Sequence, residues 1–276
     1  MKSRIITSII IVAIAIPTFL LSGYIVYPII LALLAGVSVF EIMRVVGCEK
    51  NPVLSIPAYL MALSLPVAAF FSSSSVERFF LICTAVIYAF LLYVLVYSVF
   101  SDGKIGFSKA ARIFCSIAYA ILAFTALSAI RYIDNGVFCF GIVFIASWVS
   151  DVFALLVGTM IGKHKLMPKI SPKKTVEGLV GGIIFGTVAM LLYGLLIDLF
   201  VADVAVNYIV LAVMGVCLSV LSQIGDLIAS TIKREEGVKD FGSLLPGHGG
   251  ITDRFDSIFS IAVIALIICV VFPPFI

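Results

Sequence analysis

Residues 230–257 read STIKREEGVKDFGSLLPGHGGITDRFDS and hold Lys233, Arg234, Lys239, Asp240, His248, Asp253, Arg254 and Asp256 within 24 positions. Apolar runs precede and follow this cassette. Charge is costly at the edge of a bilayer, so a cluster of both signs there reads as a site that does chemistry. Gly237, Gly242, Gly247, Gly249, Gly250 and Pro246 argue for a tight, ordered loop, and Gly249 and Gly250 let backbone approach a ligand closely. Asp253 and Asp256 stand three apart at the start of an apolar helix and share a face. With Asp226 they compose a candidate cluster of three hard oxygen donors, which suits Mg²⁺ bridging to substrate phosphates. The plainer reading of Asp253 and Asp256 is capping against the helix dipole. His248, between glycines in a charged loop, reads as a phosphate or substrate contact.

Two more constellations lie upstream. Ser222, Asp226 and Ser230 recur every four residues on one helix face, beside Gln223, and Lys233 follows one turn later. This reads as the wall of a pocket. A polar contact between membrane helices would explain the serines but not the aspartate. The other constellation begins at Asp151, inside an apolar run and about 16 Å back from Gly162 along a helix. An ionised carboxylate facing lipid there costs at least ~2.5 kcal/mol, so Asp151 should face a polar cavity or be neutral. The segment KHKLMPKISPKKTVEG (163–178) follows, with Lys163, His164, Lys165, Lys169, Lys173 and Lys174. Pro168 and Pro172 stiffen it, and Ser171 or Thr175 can cap the next helix. Two readings stand: an anchor for anionic headgroups, or a phosphate loop assisted by the helix N-terminus at 175–178.

The elements that must position these residues are membrane helices. The chain has 276 residues, 63% hydrophobic and 12% charged, with mean hydropathy +1.26. Soluble domains run to about 25% charged. The fold class is therefore all-α, a polytopic integral membrane protein. The formal charge of +3 is too small to point to nucleic acid. Spans of roughly 20 apolar residues are predicted at about 5–22, 24–46, 56–71, 79–100, 110–130, 138–162, 176–198, 205–232 and 255–275, nine in all. A cytoplasmic N-terminus puts 16 of the 18 Lys and Arg inside and leaves only Arg78 and Arg131 outside, as the positive-inside rule asks. The functional loops 163–178 and 233–256 then face the cytoplasm. Residues 1–135 read as a chemically silent scaffold and 136–276 as the catalytic region. MKSR and the run after it resemble a signal peptide, but no small-residue cleavage site follows, so they read as a retained helix. The six cysteines form no C-x-x-C pair and mostly sit in apolar runs, against disulfides or a cysteine zinc site.

The cassette resembles the phosphatidate cytidylyltransferase family, the CDP-diacylglycerol synthases. The signature is S-x-x-K-R, four residues, K-D-x-G, then P-x-H-G-G-x-x-D-R-x-D. Ser230, Lys233, Arg234, Lys239, Asp240, Gly242, Pro246, His248, Gly249, Gly250, Asp253, Arg254 and Asp256 hold that spacing. Asp151, Gly158, Gly162–Leu166, Pro168 and SPKKTVEG also resemble the family, so the likeness spans roughly 140–260. Val176 departs from it, since tryptophan is expected there.

The resemblance implies that CTP and phosphatidate give CDP-diacylglycerol and pyrophosphate, by a homodimer that needs Mg²⁺, one or two cations; the simplicity of the chain suggests a bacterial plasma membrane. It implies metal ligands Asp226, Asp253 and Asp256, with Lys233 neutralising phosphate. The expected catalytic positions are Lys233, Asp240, His248 and Arg254. The expected substrate-binding positions are Ser171, Lys173, Lys174, Ser230, Arg234, Lys239, Gly249 and Gly250. Competing readings are a CTP-dependent lipid kinase and a transporter using Asp151 and Asp226. The transporter is disfavoured because the polar groups gather at one membrane face.

Overall fold

The structure, a computed structural model, describes residues 22–71, 75–247 and 249–276. Residues 5–21 of the first expected span, and His248, lie outside them. Among the described residues, eight helices are long and apolar enough to cross a membrane. The protein is an all-α polytopic membrane protein. The described chain divides into two compact units, residues 1–132 with 236–254, and residues 133–235 with 255–276.

The first unit holds α1 (Val26–Val45), α2 (Pro52–Phe71), α3 (Val76–Phe100) and α4 (Phe107–Ile130). The third span, predicted at 56–71, begins earlier in the structure, where α2 is a full 20 residues. Pro52 takes its first position, where a missing N–H costs nothing. Lipid provides little hydrophobic drive between helices, so packing and internal hydrogen bonds hold them. Ala110, Ala120 and Ala123 of α4 are unexposed, as are Ile113, Ile117, Ile121 and Phe124. The Tyr27 hydroxyl donates to Leu127 O at 2.9 Å and Ser128 Oγ donates to Pro66 O at 2.7 Å, tying α4 to α1 and α2. Leu60, Leu81, Val99 and Phe100 stay exposed, an apolar surface suited to acyl chains.

The second unit begins with α5 (Gly136–Phe144), a π turn at Ile145–Val149, and α6 (Ser150–Ile161). The wide turn lies directly before Ser150 and Asp151 and sets the side on which they emerge; π turns inside helices often mark functional positions. An antiparallel ribbon follows where sequence alone suggested only a loop. Lys165–Met167 (β1) pairs with Ser171–Thr175 (β2), Lys165 opposite Thr175. Next come α7 (Val176–Phe200) and α8 (Tyr208–Glu235). Thr175 caps α7, its Oγ1 accepting from Gly178 N at 3.1 Å. A Cβ at Gly182 would stand 2.8 Å from Ser150 O, so only glycine lets α7 lie this close to α6. α8 ends three residues later than predicted and carries Lys233 and Arg234 on its last turn. The last helix, α9 (Thr252–Val271), starts in the first unit and continues from Phe255 in the second.

Candidate active site

In the second unit, three helices and the ribbon bring carboxylates and lysines together. Successive strand residues point to opposite faces, so β2 exposes Lys173 and half-buries Lys174. Lys174 Nζ meets Asp226 Oδ2 at 2.7 Å and donates to Gln223 O and Oε1, both at 3.1 Å. Gln223 Nε2 donates to Asp151 Oδ1 at 3.0 Å and Ser150 Oγ at 3.3 Å. Ser257 Oγ donates to Asp151 Oδ2 at 2.9 Å, and Ser257 N donates to Asp256 Oδ1 at 2.8 Å. Asp151 thus faces a polar network rather than lipid, as its cost in hydrocarbon requires.

Asp256 comes to Asp226 through a close helix contact. A Cβ on Gly225 would lie 2.9 Å from Asp256 O, so α9 rides against α8 at the residue before Asp226. Asp226, Asp151 and Lys233 all act electrostatically on Asp256. Lys174 and Asp226 act likewise on Asp151. Three carboxylates therefore share this region with two ammonium groups, an excess of hard anionic oxygen that suits a divalent cation. Among the described residues, no three His, Cys, Asp or Glu side chains converge into one ligand set. Ser222 and Ser219 are buried with hydroxyls that lack a partner among the described residues. Ser230 is half-buried one turn beyond Asp226, and Ser171 is half-buried at the start of β2.

The cassette residues 236–254 belong to the first unit, and the Asp253 carboxylate is engaged there by the loop backbone. Its Oδ2 accepts from Phe241 N at 2.8 Å, Gly250 N at 3.0 Å and Gly242 N at 3.4 Å. Leu245 N donates to Gly249 O at 2.9 Å and closes the turn. The folded loop borders a cavity of about 580 Å³ lined by Lys239, Asp240, Ser243, Gly249 and Arg254. Lys239, Asp240, Arg234 and Arg254 are exposed. Two cations around a glycine-rich rim can take anionic oxygens.

Sequence reasoning missed what holds this loop. Glu41, in the stretch read as silent, is only 2% exposed. Its Oε1 accepts from Ile251 N at 3.0 Å and its Oε2 from Thr252 N at 2.8 Å. Arg44, one turn on, donates from Nη2 to Phe241 O at 2.9 Å. Gly250 has no room for a side chain because the Glu41 carboxyl fills that space, with Cδ 2.5 Å from an ideal Cβ. A lone Glu near the end of an apolar helix carries no signal that would have found it.

The description of the matching family model is "Cytidylyltransferase family", and the match covers residues 2–272. The chain belongs to that family. Phosphatidate cytidylyltransferase of Staphylococcus epidermidis strain RP62A is 37% identical over 262 residues, covering 93% of this chain and 94% of that protein. The protein of the same name from Bacillus subtilis strain 168 is 34% identical over 268 residues, covering 93% of each. That from Staphylococcus haemolyticus is 34% identical over 264 residues, covering 93% of this chain and 94% of the relative. The family match takes in α1 and its Glu41 as well as the cassette. At Val176, the departure from the expected tryptophan, the side chain is 40% exposed on the first turn of α7.

Proposed function

We propose that this cytidylyltransferase joins CTP to phosphatidate, giving CDP-diacylglycerol and pyrophosphate. The observation that carries the reading is similarity along 93% of the chain to bacterial proteins named for that reaction. A phosphatidate oxygen attacks the α-phosphorus of CTP in line. The new O–P bond forms as the bond to the β-phosphate oxygen breaks, and pyrophosphate leaves with its electron pair. Such chemistry depends on positioning and charge neutralisation rather than on a covalent protein intermediate.

Asp226 and Asp256 would hold Mg²⁺, and Asp253 supports the loop from its backbone N–H contacts. When bound, the ion supplies charge neutralisation at the nucleotide phosphates and at the departing pyrophosphate. Lys174 holds Asp226 in place and carries charge toward phosphate. Lys233 and Arg234 stand on the last turn of α8 for the same task. Lys239 and Arg254 take phosphate oxygens at the cassette cavity, with Asp240 beside them. Ser171, Lys173, Ser230 and Gly249 complete the substrate contacts in this reading, while Gly250, buried against the Glu41 carboxyl and donating its N–H to Asp253, holds the loop. CTP enters from the cytoplasmic side and the lipid enters laterally. The distribution of Lys and Arg supports that orientation. The family resemblance also carries homodimer assembly, which cross-linking in native membranes checks.

The test is a detergent assay with α-³²P-CTP, offering phosphatidate and a prenol alcohol in parallel. Label appearing in lipid only with phosphatidate supports the reading. A lipid kinase would leave the α-label in water. Chelation should stop the reaction and added Mg²⁺ should restore it.

A further inference from the structure

Glu41 stands out among the carboxylates. It is buried, it forms no ion pair among the described residues, and both oxygens accept backbone N–H groups 210 and 211 positions away. A buried charge with no donors would be strongly disfavoured. Here the donors are the first N–H groups of α9 and the residue before it, at the positive end of a helix dipole. Gly242 and Gly250 both press against this carboxyl, and a Cβ on either would collide with it. Asp253 gathers three further N–H groups of the same segment. The loop is therefore wrapped around two acidic side chains, one of its own and one lent by α1. Arg44 fixes a third point at Phe241 O.

We infer that Glu41 is a positioning residue for nucleotide binding, holding the cassette backbone so that Lys239 and Arg254 line one cavity. This rests on the reading of the cassette as a phosphate-binding element. Glu41 itself touches no substrate. It acts by fixing the backbone on both sides of Gly250. Glutamine cannot replace it, because its amide group would set N–H against N–H at Ile251 or Thr252. Aspartate is one methylene too short to reach both.

The experiment measures equilibrium binding of labelled CTP with Mg²⁺ to purified full-length protein, reading affinity and number of sites separately. Glu41→Gln should weaken CTP affinity on the order of tenfold, as expected for one buried charged acceptor, with the number of sites unchanged. Gly250→Ala should weaken it similarly. In the Glu41→Ala background the vacated space admits the new methyl, so Gly250→Ala should add little. Unchanged affinity in Glu41→Gln overturns the inference. So does a loss of sites at unchanged affinity, which would mark a merely structural role. Independent, multiplying effects of Glu41→Ala and Gly250→Ala would also overturn it. Retained CTP binding without label transfer to phosphatidate would defeat the substrate reading and leave this inference standing.

Discussion

Two groups of acidic residues sit in this chain, and they meet opposite surroundings. Asp151, Asp226 and Asp256 of the second unit face lysines, an amide, a serine and one another. Glu41 and Asp253 of the first unit face five backbone N–H groups. A carboxylate surrounded by main-chain donors is committed to architecture, because each lost donor–acceptor pair strands a buried polar group. Carboxylates crowded against each other disfavour one another's ionised form unless cations offset the repulsion. Residue type alone does not separate the groups, and Asp253 and Asp256 stand only three positions apart.

Substitutions can break this contrast. Asp226→Asn should lower label transfer by about 10³-fold, the scale of losing a charge-stabilising group, while the melting temperature in detergent stays nearly constant. A variant with near-normal turnover at ordinary Mg²⁺ would remove Asp226 from the chemistry. Asp253→Asn should show the reverse balance. Stability should fall by ~2 kcal/mol, as for a buried charged acceptor that serves several donors, and the surviving molecules should lose less activity than Asp226→Asn. Equal melting temperatures for the two variants would erase the distinction.

Smaller effects sharpen the same picture on the ribbon. Lys174→Ala should cost about tenfold in transfer, since it removes a partly buried ion pair and its phosphate charge. Lys173→Ala, on the exposed face of β2, should cost no more than about threefold. Reversal of that order would mean that the strand face does not matter. Thr175→Ala should cost about 1 kcal/mol of stability, the usual value of a helix N-cap, read from thermal unfolding with little change in kinetics.

Much of the fold is legible in the sequence. Runs of apolar residues long enough to span a bilayer are a local signal, and eight predicted spans reappear with ends shifted by a few residues. The ninth, near residue 5, lies outside the described residues. The ribbon at Lys165–Thr175 was not legible, because SPKKT with its proline reads as loop. The cassette was legible as a site through its spacing. The placement of Lys174 on Asp226 was not, since 52 residues separate them in the chain. Gly250 was read as room for a ligand, and in the structure that room is filled by Glu41.

Hydropathy and charge spacing alone settled the membrane class, the helical architecture and the place where chemistry concentrates. These depend on what each residue costs to bury, a property of the residue and its immediate neighbours. Tertiary packing decided which carboxylates meet lysine and which meet backbone N–H. That choice depends on partners brought from as far as 211 positions away, and hydrogen-bond geometry within about 3 Å has no counterpart in a linear sequence.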